Sequence, residues 1–277
     1  YLNIPKGNMK HISAEEREIY LQKFKNNIIS YQPGGSIANS IYAFSDNQKD
    51  SFFGCSLGQD KFRDQFLEGF DSLTSVVINE SDQDTGVCFI FVTSDGERTM
   101  ASYLGANEDL SEKVISEDIL RDCDAAIFDS FSVFTSSGFK TLKFCLDLAR
   151  KHDVDIFFGL SDSELIKMNK EKVNWIISKG IDYVFGNKIE IQTLCSFCQI
   201  DSNKIIQTNG KSGASFNDIE VKAPPTVVEN TNGAGDAFIG TFIANLNKKD
   251  ITQTLTDSVN YAARVCETNG PRQKKRH

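Results

Sequence analysis

The 277-residue chain lacks a long apolar run, a basic excess and a regular cysteine framework. A bilayer-spanning helix needs ~18 or more apolar residues in a row, and no stretch comes near that. Acidic residues outnumber basic ones, 38 to 30, for a net charge of −8. That argues against a nucleic-acid surface, which needs a basic footprint. The one basic cluster, Arg272 to Arg276, closes the chain and reads as a solvated tail. Three histidines, His11, His152 and His277, are too scattered for a metal cluster. Cysteines number seven, an odd count. Five of them (Cys55, Cys88, Cys123, Cys145 and Cys266) lie in or beside apolar segments, as small buried hydrophobes do. Cys195 and Cys198 form a lone CxxC without the second pair that a four-ligand zinc site requires. Reduced thiols point to a cytoplasmic location. Tyr1 to Lys10 is polar and shows no signal-peptide pattern. With no initiating Met, the chain is expected to start inside a longer gene product.

Repeats, low-complexity tracts and Pro/Gly/Ser-rich linkers are also missing, so one domain over residues 1–277 is expected. Within it, apolar runs of strand length alternate with segments of helical period. Ser13-Ala14-Glu15-Glu16 has capping-box spacing and opens a helix to about Phe24. A second helix follows Pro33-Gly34-Gly35. Ser51 to Cys55 reads as a strand and Asp60 to Phe70 as a helix. Ser75 to Asn79, Val87 to Thr93 and Glu97 to Tyr103 then follow as strands without helices between them, and Asp95-Gly96 is a hairpin signal. Alternation resumes through the strands at 125–128, 154–158, 183–185 and 204–208. Two long helices, near 234–246 and 251–268, close the chain. The pattern predicts an α/β fold with a mostly parallel central sheet flanked by helices. The interlude within about 75–103 is expected as a small antiparallel β lid.

The sharpest chemical signal is Asn230-Thr231-Asn232-Gly233-Ala234-Gly235-Asp236, small residues leading straight into an apolar helix. Unpaired N–H groups and the helix dipole make such a terminus an anion site. Without side chains in the way, a phosphate can approach the backbone closely. Asp236 falls in the first helical turn, where a carboxylate could take the proton of an attacking hydroxyl. The bland alternative is a glycine-rich turn with a favourable first-turn acid. No Gly-Lys-Ser/Thr follows, so this is not a Walker-type loop, and the third glycine of a dinucleotide fingerprint is missing.

This string resembles the D-T-x-G-A-G-D signature of the ribokinase-like (PfkB) kinases. Gly34-Gly35-Ser36-Ile37-Ala38-Asn39 resembles that family's GG-x-x-x-N motif, and Gly54, Gly58 and Asp60 match the next one. Thr85-Gly86 and 96–107 resemble the lid strands. Asn187 and Glu190 match N-x-x-E, although taken alone they would read better as a helix cap with a first-turn acid. Thr208-Asn209-Gly210-Lys211-Ser212-Gly213 resembles the nucleotide loop. The resemblance implies a ribokinase-like fold and transfer of the ATP γ-phosphate to a sugar or nucleoside hydroxyl. Asp236 would be the base, and Gly233, Ala234 and Gly235 the anion hole. Gly34, Gly35, Ser36 and Asn39 would hold the acceptor, and Thr208, Gly210, Gly213, Thr231 and Asn232 the nucleotide. Asn187 and Glu190 would position Mg2+ through water. Adenine is expected near Asn260 and Ala263. A homodimer through the lid is one arrangement the family allows. Thr85-Gly86-Val87-Cys88 leans towards adenosine-kinase-like members. A non-catalytic ligand-binding or regulatory member of the same fold is the alternative.

Two departures stand out. The family's first strand, with its substrate-gripping Asp, should lie before Tyr1. Asn230 replaces the signature's first Asp, which puts activation by a monovalent cation in doubt.

Overall fold

The computed structural model describes residues 4–94 and 97–273. Its elements run β1 (Met9–His11), α1 (Ala14–Phe24), α2 (Ser36–Asp46), β2 (Ser51–Leu57), α3 (Lys61–Leu67), β3 (Thr74–Glu80), β4 (Val87–Val92), β5 (Arg98–Tyr103), α4 (Glu117–Arg121) and β6 (Ala125–Asp129). They continue with α5 (Ser136–Lys151), β7 (Asp155–Gly159), α6 (Ser163–Met168), α7 (Lys170–Ser178), β8 (Tyr183–Asn187), α8 (Lys188–Cys195), β9 (Ile205–Thr208), β10 (Ala214–Phe216), β11 (Ile219–Val221), α9 (Ala234–Asn245) and α10 (Ile251–Cys266). The capping box read at Ser13 and Glu16 is present and opens α1.

The main sheet has the order β11-β10-β9-β8-β7-β6. Strands β6 to β9 pair in parallel, and β10 and β11 add an antiparallel hairpin that the sequence pattern did not suggest. Successive side chains of a strand point to opposite faces, and the two cores divide accordingly. Ile156, Phe158 and Val184 pack under α4 to α8 with Leu146, Ile166, Ile176 and Leu194. Phe157, Phe185 and Ile206 pack on the other face against Phe238 and Phe242 of α9 and Leu255 and Val259 of α10. Helix α2 lies against α9, which brings the two glycine motifs together.

A second sheet has the order β1-β5-β4, with β4 antiparallel to β5 and β1 parallel to it. This is the expected small sheet, with two corrections. Residues 75–79, expected in the lid, belong to β3, which pairs in parallel with β2 and with no strand of the small sheet. The third strand of the small sheet is instead β1. Sequence spacing favoured the nearer hairpin, whereas β3 follows helix α3 and completes a β-α-β unit with β2. The Asp95-Gly96 hairpin signal lies outside the described residues. Tyr20 and Phe24 of α1 pack edge-on against Phe89 and Phe91 and close one face of the small sheet. Buried Arg17 fastens α1 to the body, 3.0 Å from Asp84 and 3.6 Å from Asp60.

Among the described residues, β2 and β6 each keep one edge without a strand partner. Both edges line a single cleft of about 1970 Å3, which also reaches Gly34, Asn39, Asp129, Gly233 and the small sheet.

Candidate active site

Helix α9 starts at Gly233, whose φ of +75° is a left-handed conformation that glycine adopts without strain. A side chain there would overlap the Pro271 carbonyl. Gly235 differs, because nothing lies within 4 Å of where its Cβ would be. The protein's own packing does not require a glycine at that place, and the open space suits close approach of a ligand to the helix N-terminus.

Asp236 sits in the first turn of α9, and Ser36 and Asn39 of α2 reach it from across the sequence. Ser36 Oγ donates to Oδ1 at 2.8 Å and Asn39 Nδ2 donates to Oδ2 at 2.9 Å. Ser36 and Asn39 line the cleft, and the carboxyl they hold is part-buried. Burial pushes the Asp236 carboxyl up to about 6, against the hydrogen bonds from Asn39 and Ser36 and the charge of Arg272, all of which pull it down. A carboxylate of that affinity is poised to accept a proton near neutral pH.

A second carboxyl, missed by the motif reading, stands beside it. Asp129 ends β6 and is 5% exposed. Burial lifts it to about 6, hydrogen bonds from Ser132 and Ser36 oppose this, and the charge of Asp236 lifts it further. One signal could have found it: an acid at the carboxyl end of an apolar parallel strand, which is where open α/β sheets bind ligands.

Asn187 and Glu190 form a complete capping box at the start of α8. Asn187 N donates to Glu190 Oε2 at 2.8 Å, and Asn187 Nδ2 donates to Oε1 at 2.7 Å. The bland expectation of a helix cap is therefore met. Burial raises the Glu190 carboxyl, and the charges of Asp162 and Asp236 add to the rise. Hard oxygen donors under surplus negative charge fit Mg2+ held through its waters. Among the described residues, no three metal-ligating side chains cluster tightly enough for a cation caged by protein alone.

Thr208 ends β9, and Gly210 and Gly213 flank a short 3-10 turn at φ +55° and +99°. Thr231 and Asn232 are engaged by the small sheet: Arg98 Nη1 donates to Thr231 Oγ1 at 3.0 Å and to Asn232 Oδ1 at 2.7 Å. Asn230 Oδ1 accepts the Asn232 N–H at 2.8 Å, so the replaced signature Asp closes a turn in this loop. Asn260 and Ala263 lie part-buried on α10. The expected solvated tail is corrected at Arg272, which is buried and hydrogen-bonded to Asn39 at 3.0 Å. Residues 274–276 of that cluster fall outside the described residues. All seven cysteines are free.

A glycine-rich helix start with a part-buried acid in its first turn, set on a ribokinase-like α/β sheet, points to a phosphotransferase. The profile of the pfkB family carbohydrate kinases matches residues 8–276, and the chain belongs to that family. It is 26% identical over 251 residues to the ribokinase of Staphylococcus aureus, a match covering 82% of this chain and 78% of that protein. It is 26% identical over 262 residues to the adenosine kinase of Schizosaccharomyces pombe, covering 81% and 76%. The crystal structure of adenosine kinase from Sinorhizobium meliloti superposes with a TM-score of 0.86 at 20% identity, covering 97% of this chain and 88% of that one. No described helix is long and apolar enough to cross a membrane.

Proposed function

We propose that this kinase transfers the γ-phosphate of ATP to a hydroxyl of a nucleoside, with Asp236 as the base. One observation carries the reading. Two motifs about 200 residues apart meet at one carboxylate, where Ser36 and Asn39 hold Asp236 beside the open backbone at Gly235. Gly233, Ala234 and Gly235 would present N–H groups to the transferring phosphoryl group. Asp236 would take the acceptor's proton at a carboxylate oxygen. Gly34, Gly35 and Asn39 would bound the acceptor, while Thr208, Gly210 and Gly213 would border the nucleotide. Bound Mg2+, held by Asn187 and Glu190 through water, supplies charge neutralisation at the phosphates.

The choice of a nucleoside over a free sugar rests on the cleft face of the small sheet. Cross-strand partners share a face, so Val92 lies with Arg98, Ile90 with Met100 and Met9, and Cys88 with Ser102 and His11. Arg98 reaches the Thr231 loop and the His11 ring lies 4.1 Å from that of Phe134, which fixes this face over the cleft. Its middle is apolar. A base has flat apolar faces to lay there, whereas a free sugar would leave hydroxyls unpaired. A lid dimer would use an open edge of the small sheet, such as β4, because α1 covers its outer face. The free thiols and the use of ATP favour the cytosol.

ATP turnover and thermal shift with adenosine, inosine, ribose, fructose and ketodeoxygluconate test the reading. Phosphorylation of a nucleoside in preference to ribose is expected. Preferred turnover of a sugar overturns the acceptor assignment, and a thermal shift without turnover favours the non-catalytic alternative.

A further inference from the structure

The tail beyond α10 carries a cation into the back of the site. Arg272 is 9% exposed. Its Nε donates to Asn39 Oδ1 at 3.0 Å and its Nη1 donates to the Gly69 carbonyl at 3.0 Å. Its guanidinium lies 5.2 Å from the Tyr42 ring centroid and 4.9 Å from that of Phe70. Burial lowers its pKa to about 10, so it stays charged at neutral pH. Among the described residues it forms no ion pair at contact distance, and the carboxylate that feels its charge is Asp236.

Asn39 links the two, accepting from Arg272 through Oδ1 and donating to Asp236 through Nδ2. An asparagine amide has one accepting end and one donating end, whereas a guanidinium only donates. Arg272 therefore dictates which end of Asn39 faces Asp236. This matters most once Asp236 has taken up a proton, because a protonated carboxyl can itself donate and no longer selects the amide's NH2 end. The groups facing Asp236 are Ser36 and Asn39 from α2, Asp129 from β6, Glu190 from α8 and Arg272 from the tail. Arg272 is the cation among them, opposed by two acids. Pro271, its chain neighbour, packs against Gly233 at the N-terminus of α9, so the same stretch of tail touches both halves of the site.

We propose that Arg272 is a positioning residue for phosphoryl transfer, locking the Asn39 amide against Asp236 and keeping a positive charge behind the base. The proposal rests on the reading of Asp236 as base. It assigns to the C-terminal tail a part in the chemistry, although Arg272 does not itself line the cleft.

The test uses full-length protein, ATP, Mg2+ and the acceptor with the highest turnover in the screen above. Arg272→Gln, Arg272→Lys, Asn39→Ala and the double variant Arg272→Gln/Asn39→Ala are compared for melting temperature, kcat, KM for ATP and the pH profile of kcat. A misoriented base costs roughly 10- to 100-fold, so Arg272→Gln is expected to lose that much in kcat while KM for ATP holds. Loss of the nearby charge should move the acid limb of the profile upward by roughly one pH unit. Arg272→Lys keeps the charge without the fork, so its limb should stay near that of the native enzyme while kcat falls. Because Arg272 acts through Asn39, the double variant should be little worse than Asn39→Ala alone. A folded Arg272→Gln with native kcat and limb overturns the proposal, as does full additivity with Asn39→Ala. If Arg272→Gln does not fold, a folded Arg272→Lys with native kcat overturns it equally. Asp236→Asn separates the two levels: retained turnover there sinks the base assignment, whereas an inactive Asp236→Asn beside a native-like Arg272→Gln sinks only the role of Arg272.

Discussion

Asp236 is held where its chemistry is useful and its charge is costly. Asp236→Asn keeps the shape but not the base, so kcat should fall by ~100-fold or more while ATP still binds. Turnover near the native level would refute the assignment. The same shift has a stability consequence. A carboxyl whose folded pKa stands above its unfolded value binds its proton more tightly in the folded state. Its stabilising contribution is complete below the unfolded pKa, near 4, and is lost as pH rises through about 6. At pH 7.5 the ionised, partly desolvated acid therefore weakens the fold. Replacing it should recover up to ~1–3 kcal/mol there, and the advantage should shrink as pH falls from 6 to 4. Urea unfolding of both proteins across that range checks the sign. Asp129 is raised in the same direction, so the two carboxyls should titrate as a coupled pair.

At the scale of elements, α8 and the small sheet each pose a question with two answers. Glu190 caps α8 and is proposed to hold Mg2+ through water. Glu190→Gln separates these duties, because glutamine also completes a capping box. Unfolding free energy should change by less than ~1 kcal/mol, while the Mg2+ concentration for half activity should rise several-fold. A changed stability with an unchanged Mg2+ titration would leave only the cap. The small sheet is tied to the signature loop by Arg98 and roofed on its far side by α1. If it excludes water from the cleft, Arg98→Met should raise ATP hydrolysis relative to transfer. An unchanged ratio would mean that the contact only orders the loop.

For the molecule as a whole, the consequential feature is the gap between β2 and β6. Among the described residues each keeps an edge with no strand partner and lines the same cleft, and such edges accept a further strand readily. A strand-length apolar peptide added in trans is expected to raise the urea midpoint and slow hydrogen exchange at β2 and β6. Equal midpoints and equal exchange would show that the edges are content as they are.

Much of this was legible in the sequence because it is local. Strand–helix alternation set the α/β class, Ser13 and Glu16 announced the cap of α1, and the 233–236 string carried its own backbone chemistry. Tertiary structure decided what depends on distance in space. Residues 75–79 joined β2 rather than the lid, because pairing follows the β-α-β unit and not nearness along the chain. Asp129 became a neighbour of Asp236 only when β6 ended beside α9. Arg272 looked like part of a solvated tail because composition cannot show where a tail turns. Burial against Tyr42 and Phe70, with Asn39 within hydrogen-bonding reach, gave that charge its place.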